Sequence, residues 1–95
     1  MQKSAVYLEK MEAKLALYNA KLAEMKAKAA ESRADIKLEY ISQVEALEKK
    51  RDSFMVKIGH LKKTEDHVWE KVKAETENAW NEIENSIERA FSRFK

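Results

Sequence analysis

The side chains best suited to proton transfer or metal binding are few and scattered. His60 and His67 lie seven positions apart, which is two turns if one helix carries both. Zinc needs about three or four converging N, S or O ligands, and the chain holds no cysteine. The pair therefore reads as ordinary surface or helix-end histidines, and no metal site is expected. Glu82, Glu84 and Glu88 have no histidine beside them and no sign of the buried setting that would shift a carboxylate's proton affinity, so they read as a solvated face. No serine is paired with a recognisable base and no glycine-rich loop is available to cradle a phosphate. The sequence points to no catalytic residue, no cofactor and no enzyme.

Aromatic residues present a closer contest. Trp69, Trp80, Phe91 and Phe94 share a stripe with Val72, Ile83 and Ile87, which favours core packing. The rival reading opens the C-terminal helix, with Arg89, Arg93 and Lys95 beside its aromatic end, onto a lipid or granule surface in the manner of phasins or apolipoproteins. Acidic residues between Glu65 and Glu88 weaken attraction to anionic membranes. Tyr40 and Arg51 fall on the apolar seam, where buried polar groups set register.

The elements that must hold these side chains are helices. Charged residues are 38% of the 95, proline is missing and glycine occurs once, at Gly59; a composition rich in Ala, Glu, Lys and Leu is that of long helices or coiled coils. Leu8, Met11, Leu15, Tyr18, Leu22, Met25, Ala29, Ser32 and Ile36 alternate steps of three and four, a heptad stripe. A stutter through Tyr40 and Val44 leads to Leu47, Arg51, Phe54, Ile58, Leu61, Glu65, Val68 and Val72, and a second through Thr76 leads to Trp80, Ile83, Ile87, Phe91 and Phe94. Leu8, Val44 and Trp80 are thus 36 apart, a whole number of turns, and the seam suits nearly straight packed helices.

Local chemistry places a turn near Gly59. Glycine tolerates the left-handed conformation that commonly follows a helix, and Lys57, His60, Lys62 and Lys63 put basic groups where a C-terminus attracts them. Thr64 reads as an N-cap, with Glu65 and Asp66 in the next first turn. At 27–34 the alanines Ala27, Ala29, Ala30 and Ala34 favour continuation. Ser32 and Asp35 only loosely resemble a capping box, with no Gly, Pro or Asn to turn the chain. The expectation is a single all-α domain over 1–95: a helix from about 3 to 59, a turn from about 59 to 64, and a helix from about 64 to 95.

A long helix of about 85 Å outruns its shorter antiparallel arm, so residues 5 to 29 are left with an apolar stripe to cover. Leu38, Ile41, Met55 and Val56 widen the stripe further along, as two neighbours would require. The C-terminal helix confines its apolar residues to a sector of about 140°. The helical hairpin is therefore expected to complete three-helix bundles in an antiparallel homodimer, its two-fold axis near residues 27–34. Its interface would hold Leu8, Met11, Leu15, Tyr18, Leu22, Met25, Ala29, Ile36, Tyr40, Val44, Trp69, Trp80 and Phe91. The alternative is a monomeric, spectrin-like bundle that turns at Glu31 to Arg33 and makes the same contacts within one chain.

The stretches YLEKMEAKLALYNAKL, ADIKLEYISQVEALEKKRD and WEKVKAETENAWNEIENSIERAFSRFK resemble a group of small bacterial coiled-coil proteins related to a cyanobacterial stress-response protein. The most specific parts are Glu39, Tyr40, Gln43, Glu45, Leu47, Arg51 and Asp52, then the spacing from Trp69 to Ala79 and Trp80, then Ser92 to Lys95. The resemblance covers almost the whole chain. It implies a bacterial cytoplasmic coiled coil with a stress association, and it supplies no active site.

Charge narrows the partner classes. Net charge is +2; it divides as +3 over residues 1–30, +2 over 31–63 and −3 over 64–95, so the last segment complements the first two. The densest basic cluster, Lys49 to Arg51, is flanked by Glu48 and Asp52, and a nucleic-acid partner, which needs a basic stripe, is not expected. There is no apolar run of the roughly 18 residues needed to span a bilayer and no N-terminal signal pattern, so a soluble cytoplasmic chain is expected. The reading is a non-catalytic scaffold or interaction protein, an expected homodimer because so short a chain is below the size that buries most of its apolar surface alone, with room for a further protein partner; the alternative is the peripheral lipid- or granule-surface binder.

Overall fold

A computed structural model describes residues 2–93, with side chains from Ala5 to Arg93. Three helices, α1 (Gln2–Glu31), α2 (Ala34–Lys62) and α3 (Trp69–Arg93), pack as an up-down-up bundle measuring 52 × 18 × 17 Å. A single 3₁₀ turn, Asp66–Val68, leads into α3. Phe94 and Lys95, counted above with the C-terminal helix, lie outside the described residues.

The heptad stripe supplies the core. Met11, Tyr18, Leu22, Met25 and Ala29 of α1 face Val44, Leu47, Phe54, Ile58 and Leu61 of α2, and Trp69, Trp80, Ile83 and Ile87 of α3 close the third side. Helix α2 is the central partner, packed along both others, with lighter contact between α1 and α3. Tyr7 meets Trp69 edge-on at one pole, while Lys28 lies over Phe91 near the other, so α1 and α3 run parallel.

The expected continuous helix over 3–59 is interrupted at Ser32 and Arg33, the place where the three-helix alternative turns, and the fold is a bundle of three packed helices. Ser32 ties off α1: its hydroxyl donates to the Lys28 carbonyl at 2.8 Å and its N–H to the Ala29 carbonyl at 3.1 Å. Arg33 is extended, with φ −64° and ψ 149°, and its carbonyl accepts from Ile36 and Lys37 as α2 begins. Ser32 thus caps backwards onto α1 instead of forwards with Asp35. The energetic balance explains why alanine propensity loses. Breaking the helix forfeits a few backbone bonds of about 1 kcal/mol net each, whereas folding back buries side chains worth about 1.5–3 kcal/mol apiece.

The second turn also differs from expectation. Gly59 lies inside α2, which continues to Lys62, and it has no positive φ. The turn occupies Lys63 to Glu65. Thr64 does not cap the following helix; its hydroxyl donates to the His60 carbonyl at 2.9 Å, closing α2, and Glu65 takes the N-cap position of the 3₁₀ turn. The basic residues His60 and Lys62 do sit in the last turn of α2, so the electrostatic signal was sound, while the glycine and the Thr64 cap misled.

Candidate interaction surface

The thirteen residues assigned to a dimer interface lie largely along the seam inside this one chain. Met11, Tyr18, Leu22, Met25, Ala29, Val44, Trp69 and Trp80 are buried, and Leu8, Leu15, Tyr40 and Phe91 pack partly buried against them. Ile36 alone stays 37% exposed. The α1 stripe from Tyr7 to Ala29 is therefore sheltered by the chain's own α2 and α3. This corrects the premise that a second copy must cover it, because the extra turn at Arg33 supplies the cover in cis.

Aromatic packing is centred on Trp80, whose ring meets Phe54 at 5.2 Å and Tyr18 at 6.1 Å, one partner from each other helix. Its indole N–H donates to Glu84 Oε2 at 3.1 Å. Burial pushes the Tyr18 hydroxyl from its ordinary 10.0 up to about 12, against the lowering pull of Arg51. Tyr7 is likewise pushed up to about 12 by burial, aided by the charge of Glu77.

The polar seam residues bridge helices. Arg51 donates to Asn19 Oδ1 across the α1–α2 junction at 3.1 Å and to Asp52 Oδ1 at 3.1 and 3.2 Å. The Tyr40 hydroxyl lies 3.4 Å from the Arg93 carbonyl. Buried Ser86 accepts from Lys50 Nζ at 2.9 Å while donating to the Glu82 carbonyl. Lysines 14, 21 and 28, spaced as heptads on the flank of α1, cross to α3: Lys14 over Trp80 at 5.9 Å, Lys21 beside Glu88 at 3.9 Å and Lys28 over Phe91 at 5.4 Å. Sequence reasoning missed this row, although its seven-residue repeat beside the apolar stripe was there to be read.

The histidines do not converge. His60 and His67 are exposed, and His67 Nδ1 is 3.4 Å from Glu65 Oε2. Among the described residues no group of three or more His, Cys, Asp or Glu side chains is placed to hold a metal ion. Glu84 and Glu88 serve Trp80 and Lys21, as given above. No helix among the described residues is long and apolar enough to cross a membrane.

Exposed apolar side chains remain on α1, at Val6 and Leu17, at Val68, and as a larger set on α2. Leu38 and Val56 are 77% and 74% exposed, with Met55 and Ile41 less so. They do not serve the second neighbour that sequence reasoning gave them, because α3 packs on the Tyr40, Leu47 and Phe54 side. Ile41 and Val44 also line a groove of about 280 Å³ with Ala29 and Ala30, rimmed by Lys26, Lys37, Glu45 and Glu48. Compared with protein-family models, curated proteins and solved structures, the chain matches none.

Proposed function

We propose that this protein is a non-catalytic helical scaffold or interaction protein of the bacterial cytoplasm, associated with stress, that works by pairing its helices with those of another protein chain, a second copy included. The observation that carries this reading is the outward apolar residues Leu38, Ile41, Met55 and Val56 on α2, with Ile41 opening into a groove that has both signs of charge on its rim. An amphipathic helix fits such a surface, its apolar anchors over the set and its charges against the rim. The stress association and the cytoplasmic setting rest on the resemblance alone.

The test compares the wild-type chain with L38E/V56E. Both positions are exposed, so helicity and melting should hold, while proteins retained from stressed cells by the wild type should be lost by the variant. Identical retention by both chains overturns the role of this face. The lipid-surface reading is separated by flotation with zwitterionic and anionic vesicles, and the expected result is that the protein stays behind. Flotation is the better readout than emission colour, because Trp69 and Trp80 are already buried and would change little on reaching lipid.

A further inference from the structure

We propose that the Ser32–Arg33 turn is a hinge through which two copies exchange α1, giving an antiparallel dimer in which α1 and α2 of each chain join into one helix. The inference rests on the helix-pairing reading and names one partner for it, a second copy of this chain.

The turn is held by very little. One residue, Arg33, is extended, and rotating its ψ from 149° to about −42° would restore helix. Its φ of −64° is already helical. No side chain caps the start of α2, and no residue among those described needs a positive φ. Alanines 27, 29, 30 and 34 stand on both sides. A two-residue connection between helices that would each prefer to continue is the arrangement that favours exchange.

Register is also kept across the break. Met25, Ala29, Ser32, Ile36 and Tyr40 are spaced by four, three, four and four, so a continuous helix carries them on one face. Among the described residues four polar contacts join α1 to α2: Tyr18 to Leu47, Asn19 to Arg51, Lys26 to Glu48 and Glu12 to Lys62. Remade between two chains, they put the two-fold axis midway between their partners, from about residue 32 to 37. Ile36, a seam residue left 37% exposed in the single chain, falls in that window and would meet its own copy. Exchange therefore preserves the α1–α2 contacts, adds helical bonds at two hinges and covers Ile36, against the loss of one molecule's freedom. Intramolecular docking has an effective concentration of about millimolar, so the single chain dominates in dilute solution and the pair forms when chains are refolded crowded.

The test refolds the full chain at about millimolar concentration and weighs the products by chromatography with light scattering, against the 11.1 kDa of one chain. A pair should form. R33P keeps the observed φ and forbids helix continuation, and should lower the dimer constant about a hundredfold per hinge; R33G, which folds without proline's constraint on Ser32, should lower it about fivefold per hinge. S32A/R33A should raise it about twofold per hinge, and I36K should weaken the pair while leaving the single chain's melting unchanged. A K26C/E48C chain treated with a short bis-maleimide should link between chains in the pair and within the chain in the monomer. A monomer at every concentration, S32A/R33A included, overturns the exchange. So does a pair insensitive to residues 32 and 33, or one linked only within chains. These failures leave pairing through the α2 outer face standing, and that face is tested separately by L38E/V56E.

Discussion

Tyr18 donates its hydroxyl hydrogen to the main-chain carbonyl of Leu47 at 2.8 Å, a buried bond between α1 and the middle of α2. Replacing Tyr18 by Phe keeps the ring against Trp80 and removes only that bond. The loss should be about 0.5–1.5 kcal/mol, read as a lower denaturant midpoint at unchanged slope. An unchanged midpoint would mean the bond contributes no net stability.

The same hydroxyl gives a pH dependence with a definite sign. Tyr7 and Tyr18 are raised from 10.0 to about 12 in the folded chain, so above the unfolded value the folded state holds protons that the unfolded state has lost. Stability from these two groups is complete below about pH 10 and falls as pH rises towards about 12. Denaturant midpoints across that interval should drop, less steeply in Y18F. Phenolate absorbance showing every tyrosine ionising at its ordinary value would contradict this.

Phe54 is 1% exposed and touches Trp80. Phe54→Ala should cost about 3–5 kcal/mol from a total of roughly 5–15 kcal/mol. Trp80 emission should move to the red at lower denaturant. Retention of the wild-type melting curve would show that the three-ring cluster is not the centre of the fold.

Gly59 offers the opposite experiment. It lies within α2, and a Cβ added there meets nothing within 4 Å. Gly59→Ala should raise stability by about 0.5–1 kcal/mol. A decrease on calorimetry would restore the idea that this glycine serves a turn.

The apolar stripe was legible in the sequence almost residue for residue, because burial has to recur with the helical period. The turn at Arg33 was legible only as the alternative to a continuous helix, since nothing in AAESRAD breaks a helix by local chemistry; the break is imposed by the burial of Met25 and Ala29 against α2. Gly59 misled for the converse reason, a permissive residue placed where its freedom is not used. Leu38 and Val56 were read as facing a neighbour because hydrophobicity alone does not say which side of a helix is already taken. The interface assignment picked out the seam yet left open whether cis or trans contacts fill it, as one stripe serves both. Arg51 was read as setting register, and its bond to Asn19 across α1 and α2 fits that role.

An odd number of antiparallel helices puts Gln2 and Arg93 at opposite poles of a body 52 Å long. Units joined head to tail through those poles would lengthen as a string of beads does, each adding its span along one line. A hairpin of two helices, with both termini at one pole, would instead hang from such a string as a pendant. Three helices therefore carry the chain from one pole to the other, where two would return it to its starting end.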